Sequence, residues 1–127
     1  MLYQFTRHYT REEARGLLPE IRLSLKRLQH LRTESLMQEE RLKSLIEPGR
    51  DLGGDLVNAW GRTIADVQEI LAEFRRREIQ IKDLGRGLID FPALRDGKEV
   101  YLCWEEGEPD IAFWHDLDAG FAGREPL

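Results

Sequence analysis

Lys82–Leu127, KDLGRGLIDFPALRDGKEVYLCWEEGEPDIAFWHDLDAGFAGREPL, is the stretch whose reading decides the fold. Asp96-Gly97 is a two-residue hairpin signal, because a type I′ turn needs positive φ at both central positions and Asp-Gly tolerates that. Pairing outward from it sets Arg95 opposite Lys98, Phe91 opposite Leu102, Asp90 opposite Cys103 and Ile89 opposite Trp104. Ile89, Phe91, Val100, Leu102 and Trp104 then share one apolar face. A second reversal at Glu106-Gly107-Glu108-Pro109 predicts that Asp110 to His115 returns along the same strand, with Leu102 opposite Phe113 and Trp104 opposite Ile111. The expected product is a three-stranded antiparallel meander. Its other face carries Asp90, Tyr101, Cys103, Ala112 and Trp114, too aromatic to be left to water. The Gly-rich tail with Phe121, the Tyr3-Gln4-Phe5 segment as an added strand over 3–6, a second subunit or a ligand are the candidate covers.

Upstream, Thr10-Arg11-Glu12-Glu13 reads as a capping box opening a long helix. Ala14, Leu18, Ile21, Leu25 and Leu28 step by four and three, widened by Leu17 and Leu31, so this part is expected to pack against another helix. Pro19 lies beyond the first turn and predicts a kink or restart near Leu18 to Ile21. From Arg32 to Lys43 the stripe thins, then resumes at Leu42, Leu45 and Ile46. Residues 47–54 read as a loop, with Asp51 or Asp55 capping the next helix. In that second helix Val57, Trp60, Ile64, Val67, Leu71 and Phe74 alternate spacings of three and four, the seam of a coiled coil. Arg75 to Arg77 fall in its last turn, where positive charge complements the carbonyl end of the helix. An antiparallel pairing leaves the first helix longer, with an unpaired tip or a second subunit beside it. The expected class is α+β, a single domain over 1–127: a coiled-coil-like helical hairpin over 10–78, then a small antiparallel meander and tail over 79–127.

The chain has 127 residues and a formal net charge of -5. That length suits one domain, and the acidic balance argues against a nucleic-acid or anionic-membrane binder, which needs a positive surface. One cysteine makes no internal disulfide, no apolar run approaches a membrane span, and MLYQFTRHYTREE lacks a signal-peptide core. Cytoplasmic residence is the expectation. A seam this regular often meets its own copy across a two-fold axis, so a homodimer is expected.

A helical hairpin that doubles into four helices raises the carboxylate di-metal idea, but Glu69 and Glu73 turn away from the seam, and His30 with Glu34 fall outside the Leu25/Leu28 stripe. The C-terminal stretch holds the better candidates. Asp90, Trp104, Glu108, His115 and Arg124 form the candidate ligand-binding set, with Trp104 or Trp114 as an apolar wall. Cys103, His115, Asp116 and Asp118 are the candidate ligands for a divalent metal such as zinc, with His8 in the neighbourhood. The expected register puts Cys103 on the opposite face from His115, which weakens that pair, and His115 at a strand end on the apolar side reads first as a satisfied structural histidine. Asp90 is free to bond a backbone amide or Arg124, and Arg124 to bind an anion or pair with Asp116 or Asp118. Gly85-Arg86-Gly87 lacks the third glycine of a nucleotide-binding turn, and no serine nucleophile motif appears. No residue set has a recognised catalytic spacing. A non-enzymatic dimer offering the polar tip of its hairpin to a protein partner is therefore the first functional expectation, and a small-ligand or metal site in the sheet region the second.

FTRHYTREEARGLLPEI near the start and KDLGRGLIDFPALRDGKEVYLCWEEGEPDIAFWHDLDAGFAGREPL at the end resemble a bacterial family numbered 2203 among the domains of unknown function. The resemblance covers essentially the whole chain. It implies a small bacterial, cytoplasmic α+β protein and carries no activity, cofactor or catalytic residue.

Overall fold

A computed structural model describes residues 2–45 and 54–127. Helix α1 spans Arg11–Leu45 and α2 Gly54–Arg76; strands β1 (Gln80–Asp83), β2 (Leu88–Arg95), β3 (Lys98–Glu105), β4 (Phe113–Asp116) and β5 (Glu125–Pro126) come after them, with a 3₁₀ turn at Phe121–Gly123. The five strands form one antiparallel sheet in chain order, two more than the expected meander. The class is α+β.

Local chemistry sets the ends of the elements. At the start of α1 the Thr10 amide donates to the Glu13 carboxylate at 3.0 Å, and the Glu13 amide donates to the Thr10 hydroxyl at 3.1 Å, the expected capping box. α1 then runs continuously through Pro19, so of the expected kink or restart the restart does not occur. α2 ends with Glu78 at φ 57, the Glu78 amide bonding the Arg75 carbonyl and the Ile79 amide that of Phe74. This is the Schellman arrangement, closed by burial of both Phe74 and Ile79. The Asp96-Gly97 turn has φ of 53 and 79 at its two central residues, as type I′ requires. Gly54 already belongs to α2, so Asp55 lies in the first turn rather than at the cap, while Ile46, Asp51 and most of the expected 47–54 loop fall outside the described residues.

The core lies between α1 and one face of the sheet. Ala14, Leu18, Ile21 and Leu25 pack with Ile89, Phe91, Val100, Leu102 and Trp104, and Tyr9, Phe74, Ile79 and Ile111 close the edges. The lower stripe of α1 thus meets the sheet, where the sequence predicts a helix; farther along, Leu28, Leu31 and Ser35 are buried. Two ion pairs fix how the helices align, Arg77 with Glu20 at 3.0 Å and Arg27 with Asp66 at 3.6 Å. They run antiparallel, and α2 reaches only to the level of Glu20. The excess length of α1 is therefore its first turns, roughly 14 Å at 1.5 Å per residue, lying over the sheet rather than forming a free tip.

The β2–β3 register is the expected one throughout, Ile89 opposite Trp104 to Arg95 opposite Lys98. The β3–β4 register is not. Leu102 faces Trp114, Tyr101 faces His115 and Cys103 faces Phe113, one residue away from the predicted pairing. The cause lies in the connection. Pro109 has no amide for a ladder, Asp110 holds the Arg15 guanidinium by two bonds of 2.8 Å, the Trp104 indole donates to the Glu108 carbonyl at 2.9 Å, and Ile111 turns into the core. Asp110 to Ala112 are thereby used as loop, and the strand begins only at Phe113. A one-residue slip exchanges the two faces, so Trp114 packs against the core cluster with Leu102, while His115 joins Asp90, Tyr101 and Cys103.

The expected strand over 3–6 is absent; the segment crosses the second face as an irregular strap. The amides of Gln4 and Phe5 donate to the Glu99 carboxylate at 2.7 and 2.9 Å, and Phe5 lies 5.7 Å from the Tyr101 ring. β1 pairs with β2 only as far as Asp90, so the Pro92 carbonyl beyond it is free to take the Tyr9 amide at 2.7 Å. Burial raises the Glu99 carboxyl, but His8 and the two strap amides outweigh it and hold it below its ordinary value. A lowered carboxyl contributes stability above its unfolded pKa that is lost as pH falls through the folded one. Proteolysis within the first six residues should accordingly accelerate as pH falls below the ordinary carboxylate value of 4.5. Equal acceleration in Glu99→Gln would show that this carboxylate does not hold the strap.

Candidate functional site

Three neighbouring strands each bring one donor to the face opposite the helices. Asp90 on β2 lies directly across from Cys103 on β3, and His115 on β4 lies across from Tyr101, two residues along the same face. Asp90 is 2% exposed, Cys103 0% and His115 3%. One ligating atom from each lies within 4.8 Å of the others, and no other trio of His, Cys and carboxylate donors converges in this way among the described residues. The expectation that Cys103 and His115 are on opposite faces is overturned, and the slip in β4 is the reason.

The histidine's orientation follows from its two contacts. Nδ1 lies 2.7 Å from the Asp116 carbonyl, which only accepts, so Nδ1 carries a proton. Nε2 lies 3.0 Å from Asp90 Oδ2. One proton must occupy that contact, whether it is written on the imidazole or on the carboxyl. The other carboxylate oxygen, Oδ1, is buried and has no hydrogen-bond partner among the described residues.

Burial raises the Asp90 carboxyl above its ordinary value, with His115, Cys103 and Lys82 acting in the opposite direction. Burial and then the Asp90 charge push the Cys103 thiol up to about 12, opposed by Arg124. A thiol in that state is protonated at neutral pH and is a poor nucleophile.

Around this trio the tail completes the enclosure. A cavity of about 220 Å³ adjoins Asp90 and His115 and is lined also by Lys82, Leu88, Asp118 and Phe121. Arg124 grips Glu108 by two bonds of 3.0 and 2.8 Å and stacks on Phe113 and Phe121 at 3.9 and 4.1 Å. The expected pairing of Arg124 with Asp116 or Asp118 is therefore replaced by Glu108, and that of Asp90 with Arg124 by His115. The Gly-rich tail is one of the expected covers and is present, while the Tyr3-Gln4-Phe5 segment covers this face as a strap and not as the expected strand.

The other predicted site residues disperse. Trp104 is buried in the core on the opposite face, and Trp114 also packs there, so neither walls the site. The Asp116 carboxylate pairs with Lys98 at 3.1 Å and contributes only its carbonyl to His115. Asp118 is exposed at the cavity rim, and His8 bonds Glu99 at 2.8 Å. Lys82, whose ammonium lies 4.6 Å from the Tyr101 ring, is the functional candidate that sequence reasoning missed. Its signal was available in the alternation of Gln80-Ile81-Lys82, which reads as a strand in its own right. His30 and Glu34, 3.9 Å apart, are exposed on α1, and Glu69 and Glu73 are exposed on α2, as expected.

Fold and site together define a small α+β protein in which a helical hairpin stands on an antiparallel meander that encloses a buried Asp-Cys-His trio. The chain belongs to the family described as uncharacterized conserved protein (DUF2203), whose model matches residues 7–127. No curated protein matches, and no solved structure matches.

Proposed function

We propose that this protein is a non-enzymatic homodimeric interaction module of the bacterial cytoplasm, joined through α2 and offering the outer hairpin to a protein partner. The observation that carries this reading is the apolar seam of α2, which its own chain covers only in part. Only Thr63 and Phe74 are buried on this helix. Along the seam Phe74 is buried and Val57 is 40% exposed, while Trp60, Ile64, Val67 and Leu71 are all only partly buried. A seam of heptad spacing that is only partly covered fits a second copy of itself. Leu36 and Met37, 56% and 64% exposed on the polar outer part of α1, supply apolar anchors for a further partner. The reading of a bacterial, cytoplasmic protein rests on the family resemblance and on the free, buried Cys103.

Light scattering on the purified chain tests this. The expected mass is twice the 14.9 kDa of one chain, falling to the single value in Ile64→Glu/Leu71→Glu with helicity retained. A parent protein that stays at the single-chain mass at tens-of-micromolar concentration sinks the dimer.

A further inference from the structure

We propose that Asp90, Cys103 and His115 bind one borderline transition-metal dication of the zinc class, with the remaining coordination position toward the 220 Å³ cavity. The inference is independent of the dimer reading. Its basis is geometric. The three donors project from β2, β3 and β4, hydrogen-bonded neighbours in one sheet, so their spacing is held by ladders rather than by a loop. Donors around a tetrahedral zinc lie about 2.0–2.3 Å from the metal and hence roughly 3.3–3.8 Å from one another. A trio already within 4.8 Å needs only side-chain adjustment to reach that separation.

Two further features point to a cation. The His115 Nδ1–H is spent on the Asp116 carbonyl, which turns Nε2 inward as the ligating nitrogen. A metal-bound imidazole is held in this way by its outer hydrogen bond. Asp90 Oδ1 is a buried acceptor with no hydrogen-bond partner among the described residues, and a bound cation would satisfy it. The donor set of one sulfur, one nitrogen and one carboxylate oxygen selects zinc or cobalt over magnesium and calcium, which take oxygen ligands.

Charge and protons balance. Bonds form from Nε2, Sγ and a carboxylate oxygen to the metal, the proton between His115 and Asp90 leaves, and the Cys103 thiol loses its own. Two protons enter solvent per dication, no electrons move, and the trio is neutral before and after. A buried site is thus spared a net charge. Lys82 at the cavity wall gives the open position a preference for water or a small anion over a cation.

The test uses the full chain, stripped with chelator and titrated with Co²⁺. One equivalent should bind, with a thiolate-to-cobalt charge-transfer band and the visible intensity of four-coordinate cobalt, and Zn²⁺ should displace it. Cys103→Ser should abolish the charge-transfer band. Asp90→Asn keeps a hydrogen-bonding partner for Nε2 and should weaken Co²⁺ binding by roughly 100-fold or more, above the usual cost of an outer-shell change. Proton release in weak buffer should approach two per metal. The proposal is overturned if the folded parent binds no stoichiometric Co²⁺, or if Asp90→Asn, shown folded by circular dichroism, binds as tightly as the parent. Should Cys103→Ser fail to fold, the Asp90→Asn affinity decides.

Discussion

Asp90→Ala lowers the stability of the metal-free protein by about 3–5 kcal/mol, while Asp90→Asn stays within about 1 kcal/mol of the parent. The difference comes from His115. Both side chains are 3% exposed, and the imidazole has its second nitrogen committed to the Asp116 carbonyl. Alanine leaves Nε2 buried without a partner and opens a void beside it, so the desolvation of the imidazole is no longer offset. Asparagine keeps the shape, and its amide donates to Nε2 of the tautomer that the Asp116 carbonyl already selects. It also removes a group that burial holds above its ordinary value of 3.8. A carboxyl raised on folding contributes stability below its unfolded pKa that is lost as pH rises through the folded one. The asparagine variant should therefore gain on the parent as pH rises from 3.8 upward. Urea denaturation across that range measures both, and equal losses for alanine and asparagine would remove the hydrogen-bonded pair from the account.

Gly87→Ala is expected to cost about 2–5 kcal/mol, against about 1 kcal/mol for Gly97→Ala. Both glycines have positive φ, +68 and +79, so backbone strain enters each alike. They differ in surroundings. A Cβ on Gly87 would stand 2.4 Å from Glu106 Cβ and 3.0 Å from Leu25 Cδ2, whereas one on Gly97 meets nothing within 4 Å. Neither neighbour of Gly87 is a loose chain end: Leu25 is 0% exposed, and the Glu106 amide donates to the Gly87 carbonyl at 2.9 Å. The turn before β2, the turn after β3 and α1 meet at this glycine with no room for a methyl group. Similar thermal midpoints for the two variants would show that backbone conformation, not packing, governs the position.

Much of the scaffold was legible because its causes are local. A type I′ turn is chosen by the two residues inside it, so Asp96-Gly97 gave the whole β2–β3 register and with it the apolar face of Ile89, Phe91, Val100, Leu102 and Trp104. The Thr10–Glu13 box needs partners only three residues apart. The α1 stripe was visible too, but a stripe reports that a face is covered and not by what, which is why a sheet lies where a helix was expected.

The site was less legible, and one residue of phase explains most of the gap. Phe113 and Trp114 are both aromatic, so either could face Leu102 without breaking the apolar pattern. The decision fell to the Arg15–Asp110 pair and the Trp104–Glu108 bond, between groups four to ninety-five residues apart. Those contacts lengthened the loop and carried His115 across the sheet to Asp90 and Cys103. The sequence alone determined the class of fold, the first hairpin and which residues could serve as donors, since each is set by neighbours along the chain. Only the tertiary structure decided which donors meet, because a sheet face is assigned by register, and register after an irregular loop depends on side chains from elsewhere in the molecule.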